Sequence, residues 1–376
     1  MRKSAKRRLS VQKLESRHLL AGNIIGNFTG TTLSLGGDAA DNQLEVTEVA
    51  SNQVLVTGLT GTTINGMPSQ LFASNLIENV VIRTSSGHDT VFIHDLSLAD
   101  TPNGNLGVFT SDGNDQIRLK NVTTTQTFQV NAGDHDDRVI GQSLSTNGLF
   151  RVDGDWGHDN VSLSWVKAHD IELDLRQGED NLRVSHAKAI NDISINTGSE
   201  NDTAFLRDIR PENDLNFYSE DGDDQLFTKA VKSGNDVYVD TGDGSDTVFM
   251  KNTKANHNVN VSTGQGDDQL TMLNTKAIND VFVHLGSGDD LSAISKVKAH
   301  DLYFNAADGT DAVKMSHIHT VDVLGVKMGT GDDVFKIINS SAFHPFFNGG
   351  AGTDTLYDLP NVFDEVLASI SFEVII

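Results

Sequence analysis

The sequence contains no cysteine, which excludes disulfides and thiolate metal sites and leaves the redox compartment unread. A chain of this kind, if it works outside the cell, must find its cross-links in stacking or in a bound ion. Proline is scarce, five residues against 34 glycines, so flexible positive-φ turns punctuate the chain in place of rigid bends. Aromatic residues make up 6% and apolar residues 37% of the 376 positions. That is too little for a thick globular core, but it suits a thin one lined by small aliphatics. No apolar run approaches the length of a membrane span. The sequence also lacks His-Glu-x-x-His, Gly-x-Ser-x-Gly and Walker signatures, and with them the familiar zinc, serine and nucleotide chemistries.

Positive charge is scarce except at the start. Residues 1–22 hold seven Lys or Arg against one Glu, a net of +6, leaving 21 of the 28 basic and 51 of the 52 acidic side chains for the rest, a net of −30. So acidic a body repels nucleic acid. Divalent cations and basic groups are its expected company.

What the chain does have is an acidic turn that returns every 21 or 22 residues. Clear copies read Thr241-Gly242-Asp243-Gly244-Ser245-Asp246 and Gly349-Gly350-Ala351-Gly352-Thr353-Asp354. After Asp89 the last Asp of each copy is Asp115, Asp137, Asp159, Asp180, Asp202, Asp224, Asp246, Asp268, Asp290, Asp311, Asp333 and Asp354. A fixed period of this length marks a solenoid, whose coils bury their apolar sides only against their neighbours. Two and four residues after the Asp stand apolar pairs such as Leu182/Val184 and Leu270/Met272; nine and seven before it stand Ile171/Leu173 and Val259/Val261. Both carry the period of two that signals a strand. Between them a second turn is expected, typified by Val166-Lys167-Ala168-His169-Asp170. It bears a ladder of His169, Asn191, Asn213, Asn235, His257, Asn279 and His300, whose amides can pass hydrogen bonds from coil to coil.

These coils resemble the right-handed parallel β-helices of pectate lyase type. The expected fold is all-β, a right-handed parallel β-helix (β-solenoid) of about 13 coils, with no helix of consequence. Residues 1–22 form a basic segment, 23–78 an irregular β cap, 79–358 the solenoid and 359–376 a second cap. The run Leu14-Glu15-Ser16-Arg17-His18-Leu19-Leu20-Ala21 resembles the LEPR-XLL motif of planctomycete surface proteins, with Ser16 in place of Pro. That resemblance implies export to the cell envelope or beyond; read from composition alone, the segment is a basic tail.

The turns resemble the calcium-binding nonapeptide of RTX proteins, Gly-Gly-x-Gly-x-Asp-x-U-x, which residues Gly349 to Tyr357 fit at all nine positions. RTX chains repeat it every nine residues, whereas this chain has one copy per coil. The resemblance implies Ca²⁺ along one edge, held by the carboxylates of Asp115 through Asp354. Charge argues the same way, because carboxylates ~4.8 Å apart repel by about 1 kcal/mol per pair even in water. Asp136, Asp223, Asp267, Asp289 and Asp332 add to the repulsion. The reading without metal is a column of Asx-turns, in which each Asp accepts its own backbone N–H.

Two further columns are candidate partner surfaces. Phe205, Phe227 and Phe249 stand three residues after the turn Asp in successive coils, an outward aromatic patch unless a shift of register buries them. Lys232, Lys254 and Lys276 belong to a basic column that also includes Lys167, Lys188, Arg210 and Lys298. It either neutralises the acidic column running from Asp170 to Asp301 or grips an acidic polysaccharide. Tyr218, Tyr238, Phe282 and Tyr303 hold outward positions on the other strand. Trp156 and Trp165 are read as packing residues. The functional expectation is a secreted or cell-surface, calcium-stabilised solenoid with a structural or adhesive role, partnered by calcium, extracellular polysaccharide or a surface protein, and not an enzyme. The alternatives are a polysaccharide lyase or hydrolase, or a carbohydrate-binding module.

Overall fold

A computed structural model describes residues 22–363 and 368–376; the basic segment with its LEPR-XLL-like run lies outside the described residues except for Gly22. The chain is a parallel β-solenoid of about 13 turns, with no helix among the described residues. Each turn lays down one long and one short strand, and each strand pairs in parallel with its equivalent one coil away. Asn160–Ala168, for example, pairs with Asn181–Ala189, and Asp170–Asp174 with Ile193–Asn196. The expected apolar columns point inward: Leu182, Val184, Ile193 and Ile195 are all buried. Burial of each such side chain contributes about 1.5–3 kcal/mol, so the thin core is stabilised coil by coil.

The long strand differs from expectation at its centre. Val166-Lys167-Ala168, read as a turn, belongs to the strand Asn160–Ala168. The strand passes through a bend six residues after the ladder Asp. There the residue has positive φ in coil after coil: 58° at Trp165, 56° at His186, 62° at Ala230, 58° at Asn252 and 59° at Lys296. This residue is skipped in the pairing register, as at a bulge. Inward positions therefore shift phase from Val184 to Ala187 and Ala189. Asn, Asp and His tolerate this backbone region better than most side chains, and Asn121, Asn274, Asn339, Asp208 and His317 fill it in other coils.

Parallel stacking begins inside the segment read as a cap. Thr32–Gly36 and Gln43–Ala50 already pair with Asn79–Arg83 and Thr90–Ser97. Antiparallel additions close that end: Asn23–Thr29 on Thr32–Gly36, and Gln53–Gly58 between Gln43–Ala50 and Ser69–Ala73. At the other end Val374–Ile375 extends the long-strand sheet in parallel beyond Thr355–Asp358.

The acidic turn needs glycine for backbone reasons two residues before the ladder Asp. Gly222 and Gly244 have φ of 150° and 143° there, and a Cβ on Gly244 would lie 2.0 Å from the carbonyl oxygen of Gly222. Glu200 occupies the same place with φ 82° and its side chain is exposed. Left-handed backbone costs an L-residue roughly 1–2 kcal/mol. Glu200→Gly is therefore expected to raise stability by about 1 kcal/mol in denaturant unfolding; a lowered midpoint would show that the Glu side chain does more than tolerate the turn.

Candidate functional site

The thirteen turn aspartates form one continuous ladder, and it runs through the interior. All of them, from Asp89 to Asp354, are at most 3% exposed. The backbone N–H of each donates to Oδ1 of the Asp one coil further on: Asp202 to Asp224 at 2.7 Å, Asp224 to Asp246 and Asp246 to Asp268 at 2.8 Å. Asn42 begins the series by donating its N–H to Asp89 Oδ1, and Asp354 ends it by donating to Glu373 Oε2, both at 2.7 Å. The bond thus comes from the neighbouring coil, where an Asx-turn would bond within one coil.

The second oxygen defines the chemistry. Oδ2 is buried and lacks a hydrogen-bond partner in all thirteen residues. Burial pushes these carboxyls far above the ordinary carboxylate range, against the opposing pull of the backbone donor. Asp137 reaches about 10 and Asp180 about 9; Asp159, Asp202 and Asp246 reach about 8. Asp115, Asp224, Asp290 and Asp311 reach about 7, and Asp268 and Asp333 about 6. A buried carboxylate oxygen without a partner is costly. Two things remove the cost: a proton on it, or a cation beside it.

Which of them suits a coil depends on the residue five positions before the Asp. Thr84 and Thr110 place a hydroxyl beside Asp89 and Asp115, and Thr197, Ser219, Thr241 and Thr263 do so beside Asp202, Asp224, Asp246 and Asp268 in four successive coils. Ser219 and Thr263 also donate to the carbonyls of Thr241 and Leu285, at 3.2 and 2.9 Å. A Cβ added at Gly349 would lie 2.5 Å from both Asp354 Oδ2 and the Ser371 carbonyl oxygen, so oxygens surround that space too. Carboxylate, hydroxyl and carbonyl oxygens are the donors calcium prefers, so these coils fit the ion. Ala132, Leu175, Leu285, Ala306 and Met328 are buried apolar residues at the same position. That position therefore offers no hydroxyl to Asp137, Asp180, Asp290, Asp311 and Asp333, which leaves a proton as the simpler compensation.

The other acidic residues are tied as well. Asp136, Asp223, Asp267, Asp289 and Asp332, immediately before the ladder, are each bound to the next coil by Oδ1. Asp223, for instance, accepts the Ser245 N–H and Asp267 the Asp289 N–H, both at 2.8 Å. Their bonds run in the opposite sense to the buried ladder. At the far corner the Asn residues are joined from coil to coil by backbone bonds, Asn213 N–H to the Asn191 carbonyl and Asn235 N–H to that of Asn213, but their side-chain amides do not bond one another. Asn191, Asn213 and Asn235 donate Nδ2 to Asp170, Asp192 and Asp214 of the preceding coil at 2.7–2.8 Å. Those same carboxylates accept backbone N–H groups. The basic column therefore has another neighbourhood: its ion pairs are Lys188–Glu212 and Arg210–Asp208, not bonds to the corner aspartates. Lys232, Lys254, Lys276 and Lys298 stand in register as a surface strip.

Phe205 and Phe227 do stack outward, with centroids 4.9 Å apart and planes 10° from parallel, and Arg183 lies over Phe205. Phe249 follows in register with Phe227. The tryptophans do not pack in the core. Trp156 and Trp165 are 63% and 58% exposed, and Trp165 stacks on His186 at 4.0 Å. Sequence reasoning missed the orphaned Oδ2 row because strand alternation does not say which way a turn residue faces. The threonines five residues before the Asp were the available signal. Compared with known proteins, the chain matches no family, no curated protein and no solved structure.

Proposed function

We propose that this protein is a secreted or cell-surface β-solenoid with a structural or adhesive role, stabilised by calcium along part of its acidic edge. The observation that carries the reading is the row of buried, partnerless Oδ2 atoms, which continues through the six hydroxyl-bearing coils at Asp89, Asp115, Asp202, Asp224, Asp246 and Asp268. Calcium bound only by the folded turns adds its binding free energy to stability. Where the ion is plentiful, as outside cells, the rod is firm; where it is scarce, the acidic edge loosens. Isothermal titration of the chelator-treated protein with Ca²⁺ is expected to give a few sites, fewer than the thirteen coils. Failure to bind at millimolar calcium sinks the calcium part of the reading.

One cluster favours a reading from another class, a polysaccharide-cleaving enzyme. Ligand atoms of Asp280, His300 and Asp301 lie within 4.8 Å of one another, beside an aromatic cleft. Paired carboxyls next to a sugar-sized cleft are the minimum for glycoside hydrolysis. Incubation with polysaccharides, followed by assay for new reducing or unsaturated ends, separates the readings, since a scaffold yields neither.

A further inference from the structure

On the outer face of the short-strand sheet, the position eight residues before the ladder Asp is occupied in successive coils by Tyr238, Asn260, Phe282, Tyr303, Gly325 and Phe346, in register. Phe282 and Tyr303 stack at 5.5 Å with planes 10° apart, and are 38% and 40% exposed. The row of rings then breaks at Gly325 and resumes at Phe346. Gly325 lies inside the strand Val323–Thr330 and outside the positive-φ glycines, so the backbone does not require it. A Cβ there would meet the Tyr303 ring at 3.3 Å and the Val323 side chain beyond, its nearest neighbours being side-chain atoms. A glycine inside a strand weakens it, and one with no backbone reason marks a place of close approach. The notch opens a cleft of about 600 Å³, within the range of small-ligand sites.

We infer that this cleft binds a neutral oligosaccharide, with a pyranose ring seated over Gly325 between Tyr303 and Phe346. Aromatic rings take the C–H faces of a sugar, and the amides of Asn260 and Asn305 and the hydroxyl of Ser262, which also line the cleft, suit its hydroxyls. Asn305 is already aligned by a 3.1 Å bond to His284, and Tyr303 by a 3.3 Å bond to Asp301. Charge selects the class. A chain of net charge −24, with Asp280 and Asp301 flanking the cleft, repels a polyanion. A cation is disfavoured too, because Lys327 lines the cleft and the flanking carboxylates are engaged: Asp280 by the Asp301 N–H and Asp301 by the Val323 N–H. The inference supplies the partner for the adhesive role proposed above and rests on that role, but not on calcium.

Calorimetric titration with cellohexaose, xylohexaose, mannohexaose and laminarihexaose, alongside oligogalacturonate and oligolysine, tests it. At least one neutral hexaose is expected to bind. Gly325→Val should weaken that binding tenfold or more without lowering the melting midpoint, because Val suits a strand. Tyr303→Ala should weaken it similarly, and Phe205→Ala on the other sheet should leave it unchanged. Binding of none of the neutral sugars, binding of only the charged probes, or neutral binding indifferent to Gly325→Val overturns the proposal. Repeating the titration in chelator, below the melting temperature, keeps the two readings apart. Retained sugar binding with calcium-independent melting refutes only the calcium edge; calcium-dependent melting without sugar binding refutes only the cleft.

Discussion

Freed of divalent cations, the protein is expected to lose stability steadily as pH rises from about 5 to 8, and calcium is expected to restore it at the upper end. The ladder carboxyls have their folded pKa values raised above the unfolded value, by burial first and by neighbouring carboxylates second. Folded chains therefore bind protons more tightly than unfolded ones. The stability this confers is complete below the unfolded aspartate pKa, near 4. It is lost as pH climbs through the folded values, which run from about 6 at Asp268 and Asp333 to about 10 at Asp137. If only three of these groups keep a proton in the folded state at pH 6, the slope there is about 4 kcal/mol per pH unit, a large fraction of a typical folding free energy. Calcium competes with the proton for the same oxygens, so its effect on the melting midpoint should be small at pH 5 and large at pH 8. Melting curves at both pH values, with chelator and with millimolar calcium, check each half. A midpoint that rises with pH in chelator would mean that the ladder folds as carboxylates and that burial does not hold protons on it.

The repeat made the architecture legible because three columns had to agree: turn aspartates at a fixed step, apolar pairs after them, and apolar pairs before them. Those columns place Leu182, Val184, Ile193 and Ile195 in the core, where they are. The bend at Trp165 and its equivalents was not legible, because residues as different as Trp165, Ala230 and Lys296 occupy one left-handed position and share no propensity. Tertiary stacking imposes that geometry against local preference. The site was half legible. A column of aspartates announces itself, and so does the repulsion it entails, but whether a hydroxyl or an apolar side chain stands beside each buried carboxyl depends on the residue five positions earlier. Thr241 and Leu175 look alike in a strand pattern, yet they put a hydroxyl beside Asp246 and hydrocarbon beside Asp180. The Gly325 notch escaped for a related reason: its meaning lies in the rings one coil to either side.

Replacing one rung of the ladder should produce opposite results with Ala and with Asn. Asp246 Oδ1 accepts the Asp224 N–H at 2.8 Å, and both residues are buried. Asp246→Ala leaves that donor without a partner in the core, at a cost of about 1–3 kcal/mol, and opens a small void beside it. Asn keeps the acceptor and carries no charge, so it imitates the protonated acid, and its amide can donate toward the Thr241 hydroxyl. In chelator at pH 8, Asp246→Asn should therefore raise the midpoint, and it should remove about one proton from the pH dependence of unfolding. In saturating calcium the sign should reverse, because an amide oxygen is a weaker ligand than a carboxylate and the site at that coil is impaired. Asp180→Asn, in a coil where Leu175 faces the carboxyl, should show the chelator effect without the calcium reversal. Equal losses from Asn and Ala at Asp246, in both conditions, would show that neither proton nor calcium governs the rung and that the ladder stands on backbone bonding alone.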